Sequence, residues 1–178
     1  MSVKSTEGVS LQHIVVVGGS AAEWASLADE QWAERTAELG KVADHVGATW
    51  LTIRPFGSTD KAVAPARREV PVGACLVVAD PAADGRHRLA QAIAGLVAAG
   101  SDITEAAIGA ALNAPAQADP DLVVVVGAKH RMPPSLVWEL AYSELVFVDT
   151  TWQRFGAAHL EEAIGSYAHR HRRFGGID

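Results

Sequence analysis

Apolar positions along the chain gather into short continuous runs rich in β-branched residues: His13–Val17, Thr49–Ile53, Ala74–Ala79, Leu122–Val126 and a weaker Leu145–Val148. Each is of strand length, and unbroken hydrophobicity rather than alternation predicts burial on both faces, as in a parallel sheet. Between the runs lie stretches of helical character: Ala21–His45, Asp84–Ala99, Thr104–Leu112, Pro134–Ser143 and Ala157–Arg172. In the last of these Leu160, Ile164 and Tyr167 recur at helical spacing, with Glu161, Glu162, His169 and Arg170 at the other positions. Strand alternating with helix predicts an α/β fold, a mostly parallel central sheet flanked by helices and joined by right-handed crossovers. Gly57–Pro71 holds glycine, prolines and the charge cluster Arg67, Arg68 and Glu69, and reads as a loop. Residues 1–11 read as a flexible tail, and 178 residues fit a single domain.

Charge and composition then exclude several functions. The net charge of −6, from 15 Lys+Arg against 21 Asp+Glu, offers no diffuse basic surface for a phosphate backbone, so nucleic acid is not an expected partner. No window holds the eighteen or more apolar residues of a spanning helix, and the first residues carry no apolar signal core. The single cysteine, Cys75, lies in an apolar run and is expected as a buried thiol. Together these features predict a soluble, cytoplasmic protein, and they leave open a position at the membrane surface with a partner.

Local motifs for chemistry are few. Val17-Gly18-Gly19-Ser20 closes the first strand and enters a helix, where backbone N–H groups can meet a phosphate. It is neither G-x-G-x-x-G nor a P-loop, and a tight strand-to-helix turn is the simpler explanation. The histidines at 13, 45, 87, 130, 159, 169 and 171 form no H-E-x-x-H, and one cysteine cannot build a structural zinc cluster. No G-x-S-x-G elbow is present. Trp24, Trp32 and Trp138 fall on apolar helical faces and are expected in the core or an interface.

The stretch Asp119–Leu145, containing Lys129-His-Arg-Met-Pro-Pro-Ser-Leu-Val-Trp-Glu-Leu-Ala-Tyr-Ser-Glu-Leu145, resembles the signature of the cis-prenyltransferase (undecaprenyl diphosphate synthase) family. The similarity continues through Val146-Phe-Val-Asp-Thr-Thr-Trp152, Phe155, Ser166-Tyr-Ala and Arg172-Arg-Phe-Gly-Gly176, and more loosely through His13–Val17, Glu23-Trp24-Ala25, Thr49–Ile53 and Phe56. The resemblance implies a dimeric parallel-sheet fold that condenses isopentenyl diphosphate onto an allylic diphosphate. It also implies magnesium held by carboxylates to neutralise the leaving diphosphate, and arginines to grip the incoming one.

Departures from the family pattern accompany the resemblance. With Trp24 and Ala25 setting the register, the magnesium-binding aspartate falls on Gly19 and the arginine before the tryptophan on Glu23. In the signature loop the first arginine falls on Val125 and the serine on Pro133, whereas Arg131 and Glu144 keep the second arginine and second metal-ligand positions. The family's tunnel-walling helices have only Gly57–Pro71 in their place, which even if wholly helical extends about 22 Å. The expected fold is therefore a truncated cis-prenyltransferase.

What remains similar is the segment carrying Trp138, Leu140, Ala141 and Tyr142, expected as an interface helix over Ser135–Leu145, and the terminal Arg173-Phe174-Gly175. This combination resembles the Nogo-B receptor type of subunit, which lacks the aspartate and sends a terminal Arg-x-Gly into its partner's site. By that resemblance Arg131, Arg173 and Gly175 bind substrate, Glu144 is a metal ligand and no catalytic residue is retained. Mg2+ would belong to a partner complex, with no cofactor held tightly by this chain alone. The partner would be a catalytic cis-prenyltransferase subunit or a second copy, with isoprenoid diphosphates as the small-molecule ligands; the alternatives are a short-chain prenyltransferase with an altered pocket around Arg131 and Glu144, or a phosphate-binding module without turnover.

Overall fold

In the computed structural model, residues 10–57, 66–127 and 131–174 are described, with side chains through residue 170. Among the described residues six strands form one sheet: β1 (His13–Val17), β2 (Trp50–Arg54), β3 (Arg68–Val72), β4 (Cys75–Ala79), β5 (Leu122–Val126) and β6 (Glu144–Val148). The order is β3-β4-β2-β1-β5-β6, parallel throughout except for β3 against β4. The helices are α1 (Ala21–Ala25), α2 (Asp29–His45), α3 (Gly85–Ala98), α4 (Glu105–Asn113) and α5 (Ala157–Phe174).

The two faces of the sheet differ in chemistry because strand residues alternate between them. One face carries Ile14, Val16, Leu51, Ile53, Leu122 and Val124, covered by α2, α5 and the rings of Trp24, Trp32 and Trp152. The other carries Val15, Val17, Val123 and Val125 against Leu136. His13 and Arg54, both buried polar residues, belong to the strands as well. Helices α3 and α4 pack chiefly on each other.

Four expectations need correction. Gly57–Pro71 is not all loop: Arg68–Val72 is an edge strand, joined to β4 by the two-residue turn Gly73-Ala74. Gly73 adopts a φ of +60° there, a conformation glycine takes without the usual Cβ penalty. Its proline and charges suit an outer strand, which protects its edge with just such residues. The helix expected over Ala21–His45 is two helices, since the Ser26 hydroxyl bonds back to the Glu23 carbonyl and the Ala28 N–H donates to the Gln31 side chain. The helix expected over Ser135–Leu145 is only a 3-10 turn, Glu139–Ala141. Pro133 and Pro134 supply no N–H, and the buried Glu139 carboxylate is drawn inward by two arginines. Finally, the tail does not extend to residue 11, because Leu11 is buried in the core.

His13 sits wholly within the sheet, with Nδ1 2.9 Å from the Ala118 carbonyl and Nε2 2.9 Å from Thr52 Oγ1. Burial, the largest influence, pushes its imidazole down to about 4 from 6.5. The unfolded chain therefore binds a proton between these values that the folded chain refuses, so stability falls as pH drops from about 6.5 to about 4. At about 1.4 kcal/mol per pH unit the group accounts for roughly 3 kcal/mol. Urea midpoints measured across that range should fall in the parent protein and flatten in His13→Gln; equal slopes would contradict a neutral, buried His13.

Candidate active-site cleft

Parallel α/β sheets place ligands outside the carboxyl ends of their strands, at the point where successive connections run to opposite sides. Here that point is β1, flanked by β2 and β5. A cleft of about 860 Å³ opens there, lined by Gly19, Ser20, Phe56, Gly127, Arg131 and the segment Asp149–Arg154. Arg131 is exposed and lies over the Phe56 ring at 5.2 Å, leaving a cation at the cleft wall beside a second one, Arg154.

Directly beside Gly18 and Gly19 the space is filled by protein. A Cβ on Gly19 would lie 2.7 Å from Cδ1 and Cγ of Trp152, and one on Gly18 would lie 2.8 Å from Trp152 Cε3. Gly19 also has a φ of +75°. The indole is held from several sides. It stacks on Trp24 at 5.9 Å and on Phe155 at 6.4 Å, and Arg35 covers its face at 4.3 Å while donating to the Trp152 carbonyl at 2.9 Å. Trp24 in turn donates from Nε1 to the Gly18 carbonyl at 2.9 Å. Trp24 and Trp32 are thus core residues, in line with their apolar helical faces.

The Gly-Gly-Ser turn presents its own carboxylate instead of waiting for an anion. Glu23 Oε2 accepts from the Ser20 N–H at 2.7 Å, and the Ser20 hydroxyl accepts from the Glu23 N–H at 3.2 Å, a reciprocal cap. Gln153 donates to the other Glu23 oxygen. The Ser20 N–H, aided by Gln153, holds the Glu23 carboxyl below its usual range against the opposing effect of burial. The turn therefore functions as a strand-to-helix connection, and its phosphate reading is set aside.

These residues do not fit a bound magnesium ion. Glu23 is committed to a main-chain N–H and an amide, and no group of three or more His, Cys, Asp or Glu side chains capable of holding a metal is found among the described residues. Glu144 does not share a pocket with Arg131. It begins β6, opposite Leu122, whereas the cleft lies past the strand's far end, and Glu144 pairs with Arg170 at 3.1 Å. Four strand steps at about 3.3 Å separate those ends, which explains why adjacency in the signature did not become adjacency in space. Arg173 has its backbone in α5, but its side chain and all of Gly175 lie outside the described residues. Of the expected interface residues, Trp138 is half-buried and Leu140, Ala141 and Tyr142 are exposed.

A second constellation had no local signal in the sequence. On the face of the sheet that carries Val15 and Val17, the Glu139 carboxylate accepts from Arg54 and, at 3.0 Å, from Arg88. Asp80 lies 3.6 Å from Arg54 Nε, and Arg88 also donates to the Ser135 and Leu112 carbonyls. Burial first, then the neighbouring Arg88 cation, lowers the Arg54 guanidinium to about 10. The ion group ties β2, β4 and α3 to the segment that carries Arg131 on towards Trp138, so it fixes one wall of the cleft.

With this architecture on the page, comparison with known proteins defines its class. The family model described as "Putative undecaprenyl diphosphate synthase" matches residues 72–175, more than half of the chain. The chain belongs to that family, the cis-prenyltransferases. It is 49% identical over 70 residues to isoprenyl transferase 2 of Bradyrhizobium diazoefficiens, covering 39% of this chain and 28% of the relative. It is 41% identical over 96 residues to the farnesyl-diphosphate-specific ditrans,polycis-undecaprenyl-diphosphate synthase of Lactiplantibacillus plantarum, covering 52% and 37% respectively. These matches span about a third of the curated relatives' length. A crystal structure of a probable undecaprenyl diphosphate synthase from Campylobacter jejuni shares the fold, with a TM-score of 0.65 and 16% identity over 94% of this chain and 100% of that one. Lavandulyl diphosphate synthase from Lavandula x intermedia, solved with dimethylallyl diphosphate, gives a TM-score of 0.57 and 18% identity over 89% of this chain and 95% of that one. The mostly parallel sheet flanked by helices is thus the family's fold. Among the described residues no helix is long and apolar enough to cross a membrane.

Proposed function

We propose that this chain is a non-catalytic accessory subunit of a heteromeric cis-polyprenyl diphosphate synthase, resembling the Nogo-B receptor type of subunit. The observation that carries the reading is Trp152 lying against Gly18 and Gly19. A prenyl transfer that begins by ionising an allylic diphosphate needs a metal carboxylate near the departing oxygens. At Gly19 there is no carboxylate, and an indole occupies the direction a side chain would take. Glu23, where the family resemblance has arginine, adds negative charge to the same edge of the cleft.

What the chain retains is suited to support rather than to ionisation. Arg131 and Arg154 can attract an isoprenoid diphosphate to the cleft, and Arg131 remains free of any carboxylate partner that would compete with it among the described contacts. The catalytic partner would hold Mg2+, while Arg173 and Gly175 of this chain reach the partner's diphosphate. Arg supplies a fork matched to phosphate, and glycine leaves main-chain N–H groups open to it. In the reconstituted pair Arg173→Ala is expected to lower isopentenyl diphosphate incorporation at least tenfold while the subunits still co-elute. Unchanged incorporation would refute the contribution in trans.

The two arginines also favour a second reading, a diphosphate-binding protein without turnover. Its mark is calorimetric binding of farnesyl diphosphate by the chain alone together with no effect on any catalytic partner.

A further inference from the structure

Within the cleft one contact joins two segments that are far apart in the sequence. The Arg131 guanidinium lies over the Phe56 ring, its Cζ 5.2 Å from the ring centroid. Both residues line the cleft, as do Gly19, Ser20 and Arg154.

Phe56 is a fixed platform. Its N–H donates to the Gly19 carbonyl at 2.8 Å, and Gly57 beside it bridges to Ser20, so the chain leaving β2 is tied to the Gly-Gly-Ser turn. The buried Pro55 before it locks one backbone dihedral. The partly buried ring packs against the cluster of Val15, Val17, Val123, Val125 and Leu136. The segment bearing Arg131 is brought to the same place by its own main chain. A Cβ on Gly57 would lie 2.9 Å from Pro134 Cγ, so glycine alone permits that approach, and Pro133 with Pro134 stiffens the connection back to Arg131.

An exposed arginine samples many rotamers, and fixing them when a ligand arrives costs part of the affinity gained. Attraction to a ring face narrows that range in advance. The contact is made through charge, and it leaves the N–H donors at the edge of the guanidinium plane available to phosphate oxygens. A carboxylate could hold the arginine as firmly, but it would occupy those donors and oppose an anion. Glu23, which also lines the cleft, is instead turned to the Ser20 N–H and to Gln153.

From these observations we infer that Phe56 is a positioning residue: its ring holds the Arg131 guanidinium at the cleft wall with its donors open to a diphosphate, and it does not act as a contact for the ligand's hydrocarbon tail. In taking the ligand to be a diphosphate the inference rests on the reading given above for Arg131 and Arg154; the hold of the ring on the arginine rests on atoms of this chain.

The test measures binding by the chain alone, by calorimetry at low ionic strength, with inorganic diphosphate and farnesyl diphosphate as probes. Phe56→Leu, which keeps apolar bulk against the valine cluster and removes the ring, is expected to weaken both probes by the same factor, roughly three- to tenfold. Phe56→Tyr, which keeps a ring, should bind both within about twofold of the parent. In Arg131→Ala, binding left to Arg154 should be weaker and indifferent to Phe56→Leu, because the ring then has no cation to hold. A loss confined to farnesyl diphosphate would make Phe56 a contact for the tail and overturn the inference. Equal affinity of parent and Phe56→Leu would overturn it too, as would a Phe56→Leu loss that persists in Arg131→Ala. Failure of the parent to bind either probe would instead remove the diphosphate reading of the cleft, and the inference with it.

Discussion

Gly19→Asp is expected to destabilise the chain by roughly 2–4 kcal/mol and to restore no prenyl transfer. The backbone part is small, because aspartate visits positive φ more readily than most residues. Most of the cost is steric, from a Cβ 2.7 Å from an indole that is itself held by Trp24, Phe155 and Arg35. Truncation of the plug by Trp152→Ala costs about 3–5 kcal/mol alone, as for other large buried aromatics. The double variant should be less destabilised than the sum of the singles by 1 kcal/mol or more, since the clash exists only when both groups are present. Urea denaturation of the four proteins measures that coupling. A Gly19→Asp protein as stable as its parent and turning over with magnesium would show that Trp152 yields to a carboxylate, contrary to the packing described.

The second large effect is expected at Glu139. Glu139→Gln removes the anion shared by Arg54 and Arg88 and leaves two buried guanidiniums facing one another, a loss of about 3–5 kcal/mol. For a chain of this length that lowers the melting temperature on the order of 10 °C. Burial alone would raise the Glu139 carboxyl, but Arg54 and Arg88 more than offset it and hold it below 4.5. A carboxyl lower in the folded state than in the unfolded one stabilises at pH above its unfolded value, and this contribution is lost as pH falls through the folded value. The Glu139 effect therefore sets in at more acidic pH than the His13 effect, and Glu139→Gln should erase only the more acidic part of the decline. Calorimetric scans from neutral to acid pH separate the two. A melting temperature unchanged by Glu139→Gln would mean that the ion group contributes nothing net.

The strands were legible because Ile14–Val17 and Leu122–Val126 are buried on both sides, and continuous burial leaves a continuous apolar run. Arg68–Val72 escaped since an edge strand alternates, tolerates proline and carries charges, the same pattern that marks a loop. The Ser135–Leu145 segment misled in the opposite direction. Its spacing is helical, but burial of Glu139 between arginines 85 and 51 positions away overrides local preference, and no local window contains that pairing.

The candidate site was legible only in part for a related reason. Resemblance identified Gly19, Glu23, Arg131 and Trp152 one by one, but the packing of the Trp152 indole against the glycine pair, far apart in the chain, arises only once the strands β1, β5 and β6 have paired. Glu144 was grouped with Arg131 because both match site positions of the family signature, and in the fold Glu144 starts β6, at the end of the strand away from the cleft.

The most direct measurement is incorporation of labelled isopentenyl diphosphate with farnesyl diphosphate and magnesium by three preparations: this chain alone, the host's catalytic homologue alone, and the co-expressed pair. The account predicts no product from this chain and product that appears, or rises at least tenfold, only in the pair. Product made by this chain alone would contradict it, for a metal-dependent ionisation would then be proceeding beside Gly19 and Trp152.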